Sequence, residues 1–262
     1  MLGLLAFLMG ASVGSFLNVV ADRLPEGQSL IKPRSFCGSC HRTLTSLELV
    51  PILSYLWLRG RCRYCRSSLP VRLMAVEGAT GLLFTAIYLG FGLGAEFVVI
   101  AAAVSLLLVV ALIDLERGLI LNRLVYPSAV ALLILAPFWP QLGLPQSFPG
   151  SSGMVASFLN SLTAGIGAFL VFLAISLLFP QGMGGGDIKL AGVIGLLVGF
   201  PGVLAALWLS VVSGGLVAAY LVLVRKKARK DIIPFGPFLS LGAIAVLLAG
   251  RDLVSWYRGL IP

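Results

Sequence analysis

The sequence predicts an all-α polytopic membrane protein of about eight transmembrane helices, carrying a small cytoplasmic loop domain built on four cysteines. Three observations carry that expectation. Of 262 residues, 59% are apolar and only 11% charged, and mean hydropathy is +1.04, a balance far from that of soluble domains. Apolar stretches close to the length of a bilayer crossing recur along the whole chain. Lysines and arginines gather in alternate connecting segments. In a soluble protein the net charge of +9 would point to nucleic acid. In a membrane protein it reports which loops stay in the cytoplasm, so the partner implied is the lipid bilayer and no nucleic acid is expected.

Leu2 to Ala21 forms the first crossing. It reads as an uncleaved helix, because no basic segment precedes the apolar run and no convincing small-residue cleavage site follows it. Leu73 to Ala95, Phe97 to Ile113, Leu124 to Trp139, Phe158 to Phe179 and Phe235 to Gly250 each read as one further crossing. Leu190 to Val224 is different: 35 uncharged residues would make a helix of roughly 50 Å, too long for a bilayer core of about 30 Å. The GFPG sequence at Gly199 to Gly202 breaks it into a short helix from about Ile188 to Phe200 and a full one from Val203 to Val224. The expected organisation is a first transmembrane helix over residues 1–21, a cytoplasmic four-cysteine loop domain over 22–72 and a transmembrane core over 73–262.

With eight crossings, seventeen of the nineteen lysines and arginines fall on one side, nine of them between Asp22 and Arg72. The opposite loops, Gly90 to Glu96 and Pro140 to Gly153, hold none, so the basic side is expected to be cytoplasmic. Reporter fusions at Arg63 and Arg229 should therefore report cytoplasm and one at Gly150 the outside. An external signal at Arg229 would remove the helix break and with it the eight-helix parity.

The loop contains Cys37, Cys40 and His41 as C-x-x-C-H, a spacing shared by haem attachment, redox dithiols, disulfides and metal sites. A cytoplasmic placement disfavours stable disulfides. Haem attachment would also leave Cys62 and Cys65 unexplained. Together the pairs read C-x2-C-x21-C-x2-C, near the spacing of four-thiolate zinc knuckles, and flanking arginines favour thiolates. Structural zinc on Cys37, Cys40, Cys62 and Cys65 is the favoured reading, with a redox dithiol as the competitor and His41 as a bystander. Four thiolates close the coordination shell, so such an ion organises the loop and performs no chemistry.

Three carboxylates lie at membrane depth, where ionisable groups are costly and usually functional: Glu77, Asp114 and Asp187. Each has a plain structural alternative. Asp187 could cap the helix starting at Ile188, Asp114 could be the first polar residue past a helix end, and Glu77 could snorkel or pair with Arg72. Considered together, Asp114 and Asp187 fall at cytoplasmic ends of crossings at the same depth. The GMGGGD sequence before Asp187 removes side chains where a backbone or an extended substrate would approach. Two adjacent carboxylates share a proton, so one can act as base and the other as acid, the equipment of an aspartic protease.

The chain resembles the type IV prepilin peptidases, membrane aspartic proteases of the G-x-G-D type. The resemblance runs through GASVGSFLNVVADRLP, PRSFCGSCHRTL, LWLRGRCRYCRSSLPVRLMAVEGATGLLF, ALIDLERGLI, GMGGGDIKLAGVIGLLVG and IPFGPFLSLG. It implies that Asp114 and Asp187 are the catalytic pair and that the four cysteines form the metal-binding segment of the bifunctional members. It further implies a bacterial inner-membrane enzyme whose active site faces the cytoplasm. Such an enzyme cuts the leader of prepilins or type II secretion pseudopilins and then N-methylates the new terminus with S-adenosylmethionine. Glu77 and Lys189 also sit in matching motifs, without an assigned role. LILNRL after Asp114 departs from the pattern, since many relatives carry a proline and a further acidic residue there. No glycine-rich loop after a strand marks a nucleotide-binding fold, so methylation rests on the resemblance alone. The rival classes are an ion- or proton-coupled transporter, which predicts internal symmetry and has no use for the cysteines, and a non-catalytic pilus or secretion assembly factor.

Overall fold

The computed structural model describes residues 1–142, 153–179, 183–224 and 233–260, and regular structure among them is helical, apart from isolated bridges in the first loop. The helices are α1 (Leu2–Arg23), α2 (Leu53–Trp57), α3 (Val71–Phe91), α4 (Ala95–Arg117), α5 (Asn122–Leu135), α6 (Met154–Leu178), α7 (Gly185–Val198), α8 (Gly202–Leu223) and α9 (Gly236–Leu260). Of these, α1, α3, α4, α6 and α8 are long and apolar enough to cross a membrane, while α5 and α9 contribute shorter apolar helices. The basic cluster Arg225 to Lys230 and most of the loop Pro140 to Gly153 lie outside the described residues. The chain divides into two compact units, residues 1–109 and 110–262.

In the first unit, α1 and α3 pack at backbone distance because small residues line the seam. A Cβ on Gly14 would stand 2.8 Å from the Glu77 Cα, and one on Gly10 would stand 2.6 Å from the Thr80 carbonyl. Small residues let membrane helices approach closely enough for dispersion to hold them. Asn18 Nδ2 donates across the seam to the Leu73 carbonyl at 3.2 Å. Where the two helices emerge, Arg72 pairs with Asp22 at 2.8 Å. The alternative of an Arg72 pairing for Glu77 is therefore replaced. Buried Glu77 instead accepts the Ile52 backbone N–H at 2.7 Å and anchors α2 against α3.

The loop between these helices is a tandem repeat that the sequence reading left unremarked. Phe36 bridges Thr43 and Arg61 bridges Ser68, each bridge closing around one C-x-x-C turn. The Cys37 N–H donates to the Arg42 carbonyl at 3.0 Å, and the Cys62 N–H donates to the Ser67 carbonyl at 2.9 Å. His41 and Arg66, the residues following each second cysteine, both adopt left-handed φ, at 55° and 60°. Arg42 lies 4.1 Å over the Tyr64 ring and joins the two turns.

In the second unit, the 35-residue apolar run is broken as expected. α7 ends at Val198, followed by Gly199 with φ +61°, and α8 begins at Gly202. Asn160 of α6 secures the break from both sides, accepting the Phe200 N–H at 2.6 Å and donating to the Phe200 carbonyl at 3.1 Å. A buried amide that satisfies freed backbone groups is what makes a broken helix tolerable in lipid. α7 packs on α6 where Gly195 meets the Ala164 carbonyl and Gly165 meets the Leu196 side chain. α9 packs on α8 where Gly242 meets the Ala206 carbonyl and Ser210. At 14 residues, α7 is about 21 Å long, shorter than the roughly 30 Å hydrocarbon thickness of a bilayer.

Candidate active site and metal centre

Asp114 lies in the last turn of α4, buried at 5% exposure, and Asp187 is the third residue of α7, buried at 9%. The helix containing Asp187 begins at Gly185 and not at Ile188, so this carboxylate sits inside the first turn. Its Oδ2 accepts the Gly184 N–H at 3.2 Å, the local capping contact expected of an aspartate there. The other oxygen, Oδ1, is buried with no hydrogen-bond partner among the described residues. A cap alone does not account for such an oxygen, because burial without a donor is costly. The two carboxylates are linked through Ile120, which packs against both Gly186, the neighbour of Asp187, and Gly236, the donor to Asp114.

Local chain geometry brings them there. Gly118, at φ +64°, ends α4 with its N–H on the Asp114 carbonyl at 2.9 Å and turns the chain toward Ile120. Ile120 then fills the space between two glycines. A Cβ on Gly186 would lie 2.7 Å from the Ile120 Cβ, and one on Gly236 would lie 3.2 Å from its Cδ1. Gly236, the first residue of α9, donates its backbone N–H to Asp114 Oδ2 at 2.9 Å. A Cβ there would stand 2.6 Å from that oxygen. Among the described residues Asp114 thus receives an amide donor from Gly236 and Asp187 one from Gly184, and both donors come from glycines next to a helix start.

Gly236 and Ile120 are the site residues that sequence reasoning passed over. The FGP sequence around Gly236 was visible, but its partner is 122 positions away. Lys189 donates to Asn122 Oδ1 at 3.0 Å and lies 5.4 Å over the Tyr126 ring. The LILNRL sequence therefore supplies Asn122 as a neutral acceptor for this ammonium.

In the loop, the four cysteine sulfurs lie within 4.8 Å of one another, and Cys37 Sγ and Cys65 Sγ stand 3.8 Å apart. A tetrahedral ion with Zn–S bonds of about 2.3 Å requires sulfur–sulfur edges of about 3.8 Å. The donor set and this edge fit zinc. The backbone N–H groups of Cys40 and Ser39 hold the Cys37 thiol well below its ordinary value, to about 6, while Cys40, beside the other sulfurs, is pushed up to about 11. The Ser67 hydroxyl, like those amides, lowers Cys65. His41 is exposed and packs on Phe36 at a ring separation of 5.8 Å, apart from the sulfurs.

Comparison with known proteins agrees with both halves of this arrangement. Residues 8–91 match the bacterial peptidase A24 N-terminal domain, and residues 101–219 match the type IV leader peptidase family. A prepilin leader peptidase/N-methyltransferase of Bacillus subtilis is 36% identical over 255 residues, covering 96% of each chain. The protein of that name from Pseudomonas putida is 34% identical, covering 96% of this chain and 92% of its own. That of Aeromonas hydrophila is 30% identical, with 97% and 92% covered. No solved structure matches the chain. With relatives this similar over nearly its whole length, and with both of the family's segments present in order, the chain belongs to the type IV leader peptidase family.

Proposed function

We propose that this protein cleaves the leader of prepilins or type II secretion pseudopilins at the cytoplasmic face of the bacterial inner membrane. Asp114 and Asp187 are the catalytic pair, and the enzyme also N-methylates the new amino terminus. The observation that carries the peptidase reading is the placing of two buried carboxylates among glycines, with one Asp187 oxygen left without a donor among the described residues. One carboxylate takes a proton from water as it attacks the scissile carbonyl while the other donates its proton to the carbonyl oxygen; the first then passes its proton to the leaving amine as the second recovers its own from the gem-diol. Two carboxylates in one buried site hold one proton between them, which sets up both roles at once. Of the glycines before Asp187, Gly185 has nothing within 4 Å of where its Cβ would be and leaves room for an extended substrate backbone, whereas Gly186 is filled by Ile120. A substrate with a basic leader and a following apolar helix places its cleavage point where membrane meets cytoplasm. The test is cleavage of a prepilin by the reconstituted enzyme and its aspartate variants. Transporter and assembly-factor readings both require that no leader be released.

Cys37, Cys40, Cys62 and Cys65 would hold a structural zinc that fixes the relation between the two turns of the loop. Purified protein should contain about one zinc per chain and no covalent haem. Replacing Cys37 by serine should release the metal and render residues 32–69 sensitive to protease, since thiolate binding energy is folding energy in so small a unit. Metal-free protein with an equally resistant loop would reject this. The methyl donor expected is S-adenosylmethionine. The described residues contain no strand followed by a glycine-rich turn, so the ordinary dinucleotide-type cradle is not what would hold it.

A further inference from the structure

The short helix α2 has two unlike faces. Tyr55 points inward, donating its hydroxyl to the Leu69 carbonyl at 3.3 Å and packing against Gly60 of the second cysteine turn. Leu53, Leu56 and Trp57 recur at the spacing of one helical face and are 61%, 58% and 88% exposed. Nothing in the loop covers this face, and Ile31 and Leu47 of the same loop are exposed as well. Around it the charge is one-sided. Between residues 31 and 69 stand Lys32 and six arginines, all exposed, against the single acid Glu48. Glu48 is itself occupied by the Thr45 N–H and hydroxyl at 2.7 and 2.9 Å.

The depth of α2 identifies what covers it. The Arg72–Asp22 ion pair marks where α1 and α3 meet water. Glu77 lies five residues further along α3, about 7.5 Å deeper at 1.5 Å per residue. The Ile52 N–H at the start of α2 is bonded to that carboxylate. α2 therefore begins beside a spanning helix at the level of the boundary between headgroups and acyl chains. An amphipathic helix rests at this depth, and tryptophan and arginine are favoured there.

We propose that α2 is an interfacial anchor of the first cytoplasmic loop: Leu53, Leu56 and Trp57 enter the leaflet beside α3, and the surrounding arginines bind anionic phospholipid headgroups. This rests on α1 and α3 being membrane spans and not on the peptidase reading, so the two fail independently. A basic prepilin leader is a poor occupant of the same face, because the arginines repel it. The anchor would hold the four-cysteine unit flat on the membrane, facing a substrate that itself emerges from the bilayer.

The test uses the full-length protein in nanodiscs of phosphatidylcholine alone or mixed with phosphatidylglycerol. Trp57 emission is obtained as the difference between the parent and Trp57→Phe, whose zinc content and cleavage activity should be unchanged. Lipids brominated near the top of the acyl chain should quench this emission strongly, and aqueous acrylamide weakly. Raising salt to about 1 M, where the Debye length is about 3 Å, should weaken the lipid quenching at least about twofold in the anionic discs and leave neutral discs unaltered. Arg59→Gln combined with Arg63→Gln should reproduce the salt effect at low salt. Emission open to acrylamide and indifferent to brominated lipid in both discs would overturn the proposal. So would protection that appears only when a prepilin segment is added, which would make the face a protein-docking surface.

Discussion

Asp114→Asn and Asp187→Asn enzymes should each lose leader cleavage by a factor on the order of 10⁴ while remaining folded and inserted. Asparagine keeps the size of the side chain and can still accept the amide donors, the Gly236 N–H at 2.9 Å for Asp114 and the Gly184 N–H at 3.2 Å for Asp187. What it removes is the ability to take or give a proton. In the proposed mechanism the carboxylates act as one unit, so the double replacement should be scarcely slower than either single one. The parent rate should depend on two apparent pKa values that belong to the pair and not to either residue. Methylation of a peptide supplied already cleaved should survive in both variants, since that reaction has no need of a water-activating pair. Near-parental cleavage by folded Asp114→Asn protein would remove these residues from the catalytic role. Cleavage and methylation lost together would mean that the substitution damages the fold.

Glycine-to-alanine changes around the pair should divide sharply by position. Gly236→Ala places a methyl 2.6 Å from Asp114 Oδ2, closer than real Cβ contacts come, so the carboxylate must leave its amide donor. Displacement of a catalytic group by about 1 Å costs about 10²-fold in rate. Gly186→Ala should act similarly, because its methyl would strike the Ile120 Cβ at 2.7 Å and push apart the segment that spaces the two glycines. Gly185→Ala, one residue earlier in the same motif, meets nothing within 4 Å and should cleave at nearly the parental rate. None of Gly185, Gly186 and Gly236 has positive φ, so the backbone accepts alanine at each; thermal stability should hold or rise slightly for Gly185→Ala and fall for Gly186→Ala and Gly236→Ala, whose methyls must displace Ile120 and Asp114. Cleavage kinetics beside a melting curve for the three variants checks this. Equal loss at Gly185 and Gly186 would show that the glycines serve chain flexibility and not close approach.

Sequence alone was sufficient for whatever follows from local pattern. The length and apolar character of the runs gave helices that cross a membrane, and the GFPG sequence located a break that lies between Val198 and Gly202. Two C-x-x-C pairs announced a four-sulfur cluster, because each such turn presents two sulfurs to one side. Asp114 and Asp187 were legible as candidates because charge in an apolar segment is costly and rarely idle. The sequence reading took α7 to start at Ile188, three residues late, because three successive glycines resemble a loop until a carboxylate turns back to cap them. Tertiary structure decided the partners. That Glu77 holds the Ile52 amide and not Arg72, that Asn160 fastens Phe200, and that Gly236 donates to Asp114 are contacts between residues 25, 40 and 122 positions apart. A backbone N–H has no signature of its own in a sequence, since every residue but proline carries one, and only the packing of helices selects which of them meets a buried carboxylate.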